Sequence, residues 1–373
     1  MDFGLNEEQR HLTNSAREFM RNECPTTVVR KAMADADGMP REVYRKIAQL
    51  GWTGLIVPEE FGGAGLGMLD MALLLAECGH SAMPGPFLFS STLAASALIL
   101  GGTDELKRRW LPALADGSAI GTIAITEEGD SLSPDAIATS VREDSAGHVL
   151  NGVKMFVPYA NVADFIIVAA RSGSGADDFG FWLIERAAPG LSVETLRNLD
   201  QTRRVSRISL DNVTVPAHSR LEGRTQLLDR LIDIGAVAIA ADSLGGSERA
   251  LDMAVEYSKI REQFGRPIGS FQALKHAAAE IVADLEPARS LLWYAAHALD
   301  AQPNDASRAA AMAKARLSDI YTRATGRSVL MHGGIGFTWD HDIHLWFKRA
   351  RFNESFFGSP VFHRERLARL SGY

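Results

Sequence analysis

The sequence has few cysteines and no long block of basic residues. Its only cysteines are Cys24 and Cys78, which lie far apart and outside any Cys-x-x-Cys pattern. A disulfide-stabilised secreted fold is therefore excluded, and a reducing compartment such as the cytoplasm is expected. The formal net charge is -7 and the basic residues occur singly or in short groups, which argues against a nucleic-acid or membrane-surface partner.

Long apolar runs are also missing. No segment offers the roughly 20 apolar residues that a membrane span requires, and the N-terminus begins with an amphipathic, charged helix pattern instead of a signal peptide. Hydrophobic residues make up 46% of the chain and charged residues 23%, so a disordered or fibrous protein is excluded. A cytoplasmic protein that acts on a small molecule is favoured.

Apolar periodicity divides the chain into three parts. Residues 1–118 have mainly helical patterns, with Asn6 placed to cap the first helix and Pro40 placed to begin another. Residues 119–225 contain short β-branched and aromatic runs between turn residues, which predict an antiparallel barrel or sandwich. Residues 226–373 return to helical periodicity with Ala-rich faces, typical of a helical bundle. Within this last part the expected helical stretches are 226–264, 271–300, 305–331 and 343–351.

Two strings in the C-terminal part have residues suited to binding phosphate. In YSKIREQFGRPIGSFQ (residues 257–272), Gly265 and Pro267 are expected to stop a long helix, with Arg261 in its final turn placed to meet a phosphate bidentately. In HGGIGFT (residues 332–338), the glycines let the backbone approach a bulky anion. Taken alone, a solvated arginine and a plain glycine turn are the alternatives.

Together with GWTGLIVPEEFGGAG at residues 51–65, these strings resemble the signatures of the acyl-CoA dehydrogenase flavoproteins, and their spacing matches over essentially the whole chain. The resemblance implies an α+β fold: an N-terminal helical domain, a middle β-barrel or sandwich domain that covers the flavin, and a C-terminal helical bundle with FAD-binding and oligomer contacts. It also implies FAD as cofactor, an acyl-CoA substrate and an electron-transfer flavoprotein as acceptor. Arg261 and the glycine loop then meet each FAD from different subunits of a dimer, in a homo- or hetero-oligomer that is typically a tetramer built as a dimer of dimers. The implied FAD-binding residues in this part are Arg261, Phe264, Gln272, Gly333, Gly334 and Gly336.

Two strands of the β domain resemble the flavin-contacting strands of the family. The resemblance implies that Thr126 and Phe156 contact FAD and that Ser131 contacts the acyl-CoA. The second strand departs from the family pattern, because Phe156 replaces the usual Trp and Pro158 replaces the usual hydroxyl residue. Proline has neither a side-chain donor nor an N–H. The redox tuning of the family is therefore not carried over.

Neither position at which the family carries its catalytic Glu holds a carboxylate. Counting from the glycine loop places the better-known site at Phe357, and counting back from Arg261 places the other at Gly235. Glu354 would need a register shift, so it is interpreted as a surface carboxylate. Asp242 follows the apolar run IGAVAIAA and lies about two helical turns after Gly235, on the same face.

Asp242 is therefore the internal candidate for the catalytic base. If it is dehydrated against the apolar run, its pKa rises from about 3.9 towards the neutral range in which a general base works best. The alternatives are a carboxylate paired with an arginine and one that caps a helix break at Gly245 and Gly246. The sequence leaves these roles open.

Two further groups of residues have other interpretations. His341 and His344 are three residues apart and His332 lies nearby, but no third clear ligand is present, so no metal site is expected. The string Thr202-Arg203-Arg204 resembles a family arginine that organises the edge of the β domain, and structural pairing is its expected role.

Two functions remain open. The first is FAD-dependent α,β-dehydrogenation of an acyl-CoA thioester to the enoyl-CoA, in which a carboxylate removes the α-proton and the β-hydride passes to the flavin. In the second, the chain is one subunit of a heteromeric acyl-CoA dehydrogenase, often acting on bulky or cyclic acyl groups, and a partner subunit supplies the base. A non-catalytic protein that uses only the fold is disfavoured, because the phosphate-contacting residues persist.

Overall fold

The computed structural model describes residues 4–145, 147–175 and 178–373. The first three residues of the predicted N-terminal domain and three positions of the predicted β domain lie outside the described residues. The predicted order of helical, β and helical segments is confirmed. The longer helices are α1 (Glu7–Glu23), α2 (Thr26–Ala34), α3 (Arg41–Gln49), α4 (Met68–His80), α5 (Ala95–Gly101), α6 (Asp104–Ala115), α7 (Arg224–Ile260), α8 (Gln272–Ala301), α9 (Pro303–His332), α10 (Ile343–Ser355) and α11 (Pro360–Leu370). The strands are β1 (Gly121–Ala124), β2 (Ser140–Asp144), β3 (Gly147–Pro158), β4 (Phe165–Arg171), β5 (Phe179–Glu185), β6 (Leu191–Thr195), β7 (Val205–Val215), β8 (Arg220–Leu221), β9 (Glu262–Gln263) and β10 (Arg266–Pro267).

The chain forms two compact units, and α7 contributes to both. The helical unit comprises Met1–Arg30, Met68–Met83 and Ala236–Tyr373, and the sheet unit comprises Lys31–Gly67 and Pro84–Gly235. The N-terminal helix α1 therefore shares a unit with the long C-terminal helices.

In the helical unit, α9 packs against α8, α10 and α11, and α1 packs against α4. Helix α1 begins as predicted, because Asn6 and Gln9 form a reciprocal capping box. Helices α4 and α7 cross closely at glycines: a Cβ on Gly79 would clash with the carbonyl oxygen of Asp242, and one on Gly245 would clash with α4. Helix α7 runs through this crossing without a break, so the helix-capping role considered for Asp242 is wrong.

Helix α7 ends at Ile260, four residues before the end of the predicted helical stretch. Phe264 and Gly265 both have positive φ, +53° and +75°, and they connect the short antiparallel strands β9 and β10. Two consecutive positive φ values are typical of a tight hairpin turn. The chain therefore leaves the helix just before Arg261 and turns back on itself.

In the sheet unit, β-branched and aromatic runs form one eight-stranded sheet with the path β6-β7-β3-β2-β4-β5-β8. The predicted antiparallel pairing holds for most neighbours, but β1 and β2 each pair with β4 in parallel. Strands β4 and β5 are buried along almost their whole length, in keeping with their continuous apolar sequences. A π-helix, Leu88–Ala94, packs against β1, where a Cβ on Gly121 would clash with the ring of Phe165.

Candidate active site

Asp242 lies within α7 and is 1% exposed. Its Oδ2 accepts a hydrogen bond from Asn353 Nδ2 at 2.8 Å, and its Oδ1 lies 3.4 Å from Arg349 Nη1. Arg349 and Asn353 are one turn apart on α10, so they project from the same helix face. Both are fully buried. Asp242 is therefore one half of a buried ion pair.

Further hydrogen bonds surround this ion pair. Arg349 Nη2 donates to the Met83 carbonyl at 2.9 Å, and Asn353 Nδ2 also donates to Ser243 Oγ at 3.0 Å. Buried charges persist only when paired and hydrogen-bonded in this way. These contacts favour the arginine-paired alternative for Asp242, and its role as catalytic base stays a prediction that they do not support.

The segment after Asn353 is a tightly held turn. Lys314, buried on α9, donates from Nζ to the carbonyl oxygens of Asn353 and Gly358, each at 2.8 Å. His363 Nε2 donates to the Phe357 carbonyl at 2.8 Å. These bonds hold Phe357 at φ +55°, a conformation that costs free energy for a residue other than glycine. Burial lowers the pKa of Lys314 to about 7 and that of His363 to about 3.

Glu354 is consistent with the interpretation as a surface carboxylate. Its Oε2 accepts from Arg351 Nη1 at 2.8 Å, and both side chains are partly exposed. Arg351 and Glu354 flank the buried Asn353 in the sequence, and both side chains are more exposed than that of Asn353.

A cavity of about 680 Å³ lies in the helical unit. Arg261, Phe264, Gly333 and Gly334 all line it, so the structure brings together four of the predicted FAD-binding residues. The arginine and the glycine loop meet within one chain, whereas the family resemblance implies that they act from different subunits. A Cβ on Gly333 or Gly334 would meet no atom within 4 Å, which leaves the backbone open to a ligand. An arginine beside accessible glycine backbone is a donor set suited to a phosphate. The cavity therefore fits the pyrophosphate part of a dinucleotide cofactor.

Two other predicted FAD-binding residues are not part of the cavity lining. Gln272 is the exposed first residue of α8. Gly336 is buried beneath the turn, where a Cβ would lie 2.5 Å from the Val329 carbonyl oxygen. Its glycine is therefore explained by packing within the turn.

The rings of Tyr257 and His332 line the cavity, and the ring of His341 packs against that of His332. The His332 ring lies 4.8 Å from the Tyr257 ring and 4.2 Å from the His341 ring, centroid to centroid, and both His332 and Tyr257 line the cavity. Burial lowers the pKa of His332 and of His341, which keeps both imidazoles uncharged and able to pack together. Among the residues that the structure describes, no group of three potential ligands could hold a metal ion.

In the sheet unit, Thr126 and Phe156 lie on neighbouring segments. Met155 N donates to the Thr126 carbonyl at 2.9 Å, and Thr126 Oγ1 donates to the Met155 carbonyl at 3.0 Å. Phe156 follows directly, at φ +56°, within a register shift between Lys154 and Val157. Irregularities of this kind re-aim a side chain. Phe156 is consequently 37% exposed, and it directly follows Met155, which is hydrogen-bonded to Thr126.

A buried ion pair supports these two segments. Lys154 Nζ donates to Glu127 Oε1 at 2.7 Å and to the Ile125 carbonyl at 2.9 Å. Burial lowers the pKa of Lys154 to about 8, against the opposing effect of the Glu127 carboxylate. Burial alone would raise the pKa of Glu127, but hydrogen bonds from Lys154 and Thr139 bring it below its usual value. The pair ties β3 to the segment that carries Thr126.

The remaining sequence-derived residues of the sheet unit have local roles. Pro158 is the last residue of β3, pairs with Val205, and accepts a hydrogen bond from Thr122 at its carbonyl. Ser131 accepts a hydrogen bond from a backbone N–H two residues later. Arg203 is buried, with its guanidinium over the Phe89 ring.

The phosphate-suited cavity of the helical unit indicates a nucleotide-binding class of protein. Three family models match the chain in order: the acyl-CoA dehydrogenase N-terminal domain at residues 6–118, the middle domain at 122–213 and the C-terminal domain at 222–371. The chain belongs to the acyl-CoA dehydrogenase family. It is an FAD-dependent oxidoreductase that acts on CH–CH bonds of an acyl-CoA.

Individual relatives match over almost the full length. The chain is 34% identical over 365 residues to acyl-CoA dehydrogenase IpdE2 of Mycobacterium tuberculosis, covering 98% of this chain and 96% of IpdE2. The ChsE4–ChsE5 complex from Mycobacterium tuberculosis is similar with a TM-score of 0.92 at 30% identity, covering 100% of each chain. A variant of the Tcur3481–Tcur3483 steroid acyl-CoA dehydrogenase is similar with a TM-score of 0.89 at 31% identity, covering 98% of each chain. Within the described residues, no helix is long and apolar enough to cross a membrane.

Proposed function

We propose that this chain takes part in the α,β-dehydrogenation of an acyl-CoA thioester to the enoyl-CoA as one subunit of a heteromeric enzyme, whose partner supplies the catalytic base. The observation that carries the proposal is the environment of Asp242. Asn353 and Arg349 engage its two carboxylate oxygens, and the residue is 1% exposed. A general base has to reach the substrate proton within hydrogen-bond distance. A carboxylate committed to a buried ion pair is poorly suited to that task.

The two positions that the family resemblance assigns to a catalytic Glu support the same proposal. Phe357 has no proton-accepting group, and its turn is fixed by Lys314 and His363. Gly235 has no side chain, and Glu354 pairs with a neighbouring arginine. None of these residues offers a free carboxylate for removal of the α-proton.

The part that this chain plays is to hold FAD. In the proposal Arg261, Gly333 and Gly334 bind the FAD phosphates in the 680 Å³ cavity, with Phe264 at its rim. Thr126 and Phe156 contact the flavin ring, which accepts the substrate hydride. We retain Gln272 and Gly336 as supports of the cofactor-binding segments, and Ser131 as a contact of the acyl-CoA.

Four exposed apolar side chains support the presence of a second subunit, and we infer that they form one apolar patch. Phe264 and Leu330 line the cavity, Phe337 ends the glycine turn and Trp339 follows it; they are 92%, 68%, 72% and 57% exposed. Large exposed apolar patches usually mark an interaction surface. The similar ChsE4–ChsE5 structure is a complex of two chains by its description. We therefore propose that a partner subunit covers this patch in a dimer-of-dimers assembly.

The physiological setting is proposed from the family. Electrons pass from the reduced enzyme to an electron-transfer flavoprotein, in the cytoplasm. The similarity to a steroid acyl-CoA dehydrogenase favours a bulky, cyclic acyl group over a short linear one.

The experiment compares the chain purified alone with the chain co-expressed with an adjacent gene for a related protein. Each preparation is titrated with linear and polycyclic acyl-CoAs, and bleaching of the flavin absorbance is followed. The expected result is bleaching only with the co-expressed pair. If the chain alone bleaches with an acyl-CoA and Asp242→Asn abolishes this without loss of bound FAD, Asp242 is the base and the heteromer proposal fails.

A further inference from the structure

We propose that Arg30 is a positioning residue for the FAD cavity, acting through the loop that follows the glycine turn. The inference rests on the proposed function in one respect, namely that the cavity lined by Arg261, Gly333 and Gly334 binds the FAD phosphates. Arg30 lies on α2, more than three hundred residues before that turn in the sequence. It belongs to no motif that the sequence presents.

Arg30 donates hydrogen bonds to both ends of a short segment, residues 339–342, which is called the fastened segment below. Its Nε donates to Asp342 Oδ1 at 2.7 Å, and its Nη2 donates to the Trp339 carbonyl at 2.7 Å. The Nη2 also lies 3.5 Å from His344 Nε2. The planar fork of a guanidinium can serve separate acceptors at once, which an ammonium does less well. The ion pair is partly buried, with 33% and 27% of the two side chains exposed, so solvent screens it only in part.

The fastened segment contains His341, which connects it to the cavity. The His341 ring lies 4.2 Å from the ring of His332, and the His332 ring packs on Tyr257 in the cavity wall. The backbone N–H of Ile343 donates to His341 Nδ1 at 3.2 Å, which sets the orientation of the ring. Movement of the segment therefore displaces a ring that supports the cavity wall.

The glycine turn itself spans Gly333–Phe337, between His332 and Thr338. Thr338 closes the turn, because its N–H and its Oγ1 both donate to the Ile335 carbonyl, at 3.0 Å and 2.8 Å. The ring stack holds the first end of the turn, and the segment fastened by Arg30 follows its second end. A ligand-binding backbone needs such support, because small displacements of the donors lose affinity.

The test measures the dissociation constant of FAD in the purified flavoprotein, by flavin fluorescence, for Arg30→Gln and Arg30→Lys. We expect Arg30→Gln to raise the dissociation constant about tenfold and Arg30→Lys to raise it less. The matched control is Arg17→Gln, which removes another N-terminal ion pair of the helical unit, that of Arg17 with Glu77 at 2.8 Å. Urea unfolding is measured in parallel, so that general destabilisation is seen separately from loss of FAD.

Variants of His341 test the route to the cavity. His341→Phe keeps an aromatic ring but loses the acceptor of the Ile343 N–H, so it is expected to weaken FAD binding less than His341→Ala. The effect of His341→Ala is expected to be non-additive with that of Arg30→Gln. Unchanged FAD affinity in Arg30→Gln, or an equal loss in Arg17→Gln, overturns the inference. Arg261→Gln separates the role of Arg30 from the proposed function. If Arg261→Gln binds FAD as well as the wild type does, the cavity is not the phosphate site. If Arg261→Gln loses FAD affinity and Arg30→Gln does not, only the role of Arg30 is refuted.

Discussion

Asn353 links Asp242 to Lys314, because its side chain hydrogen-bonds to the first and its backbone carbonyl to the second. Its side-chain amide donates to Asp242 Oδ2 at 2.8 Å, and its backbone carbonyl accepts from Lys314 Nζ at 2.8 Å. Helices α7, α9 and α10 therefore meet through one buried residue. The carboxylate that the sequence singles out as a base stabilises this meeting point.

We predict that Asp242→Asn destabilises the protein strongly. The substitution removes the carboxylate charge that lies 3.4 Å from Nη1 of Arg349, whose side chain is 0% exposed. Removing one member of a buried ion pair costs about 3 kcal/mol or more. Urea unfolding, monitored by circular dichroism, measures the loss in the free energy of unfolding.

Glu354→Gln is the matched control, because it removes the carboxylate of an exposed arginine pair on the same helix. Its free energy of unfolding should change by less than about 0.5 kcal/mol. An Asp242→Asn variant that is as stable as the control contradicts the structural role of Asp242.

A second prediction concerns the pH dependence of stability. Lys314 has a pKa of about 7 in the folded chain, because burial disfavours its charged form, and an ordinary value of 10.5 when exposed. Between these values the unfolded chain binds a proton that the folded chain does not, so the contribution of Lys314 to stability increases with pH. Below about pH 7 Lys314 is protonated in both the folded and the unfolded chain, so the free-energy cost of burying its charge is at its full value and no longer changes with pH.

The measurement compares the wild type with Lys314→Met in urea unfolding at about pH 7 and about pH 9. The free energy of unfolding of the wild type, relative to that of the variant, should rise with pH. Lys154 also has a lowered pKa, of about 8, but it is present in both proteins and cancels in the comparison. A constant difference across this range contradicts the prediction.

The sequence predicts elements and motifs well where the signal is local. Asn6 caps α1 as expected, and the strings around Arg261 and Gly333 meet at one cavity. The partners of Asp242 could not be predicted, because Arg349 lies 107 residues away and appears in sequence as one more charge on a helix. Tertiary packing alone decides which of the many arginines faces a given carboxylate.

The same reason explains the residues that the sequence did not reveal. Lys314 stands in an Ala-rich helix, and nothing in its neighbourhood of the sequence indicates that it binds carbonyl oxygens of a turn some forty residues later. The predicted end of α7 lies four residues beyond the observed one, because the helical periodicity of the sequence continues into the hairpin. The hairpin depends on the positive φ of Phe264, and a pattern of side chains does not specify a φ value.

A third prediction separates the two adjacent glycines of the cavity. Gly333 has φ 65° and ψ -141°, a conformation almost confined to glycine, so Gly333→Ala should cost about 1–3 kcal/mol of stability. Gly334 has open space at its Cβ position and no positive φ, so Gly334→Ala should leave the free energy of unfolding within about 0.5 kcal/mol.

For Gly334→Ala we expect weaker FAD binding despite the unchanged stability, because the added methyl group occupies the approach of the phosphate to the backbone. Flavin fluorescence gives the dissociation constant, and chemical unfolding gives the stability. A Gly334→Ala protein with wild-type FAD affinity shows that the phosphate does not lie over this residue.

The last prediction concerns the ion pair beneath the segments that carry Thr126 and Phe156. Lys154 is 0% exposed, whereas the Glu127 side chain is 16% exposed and also accepts from Thr139 N at 2.9 Å. Glu127→Gln leaves the buried ammonium without a counter-charge, so it should cost about 2–3 kcal/mol. Lys154→Met fills the same space with an apolar chain and leaves Glu127 its backbone donors, so it should cost less.

Unfolding of both variants measures the difference, and the flavin absorbance spectrum should shift in Glu127→Gln as Phe156 moves. If Lys154→Met is destabilised more than Glu127→Gln, the prediction is contradicted. The hydrogen bond of the Lys154 ammonium to the Ile125 carbonyl then stabilises the folded chain by more than burial of the ammonium destabilises it.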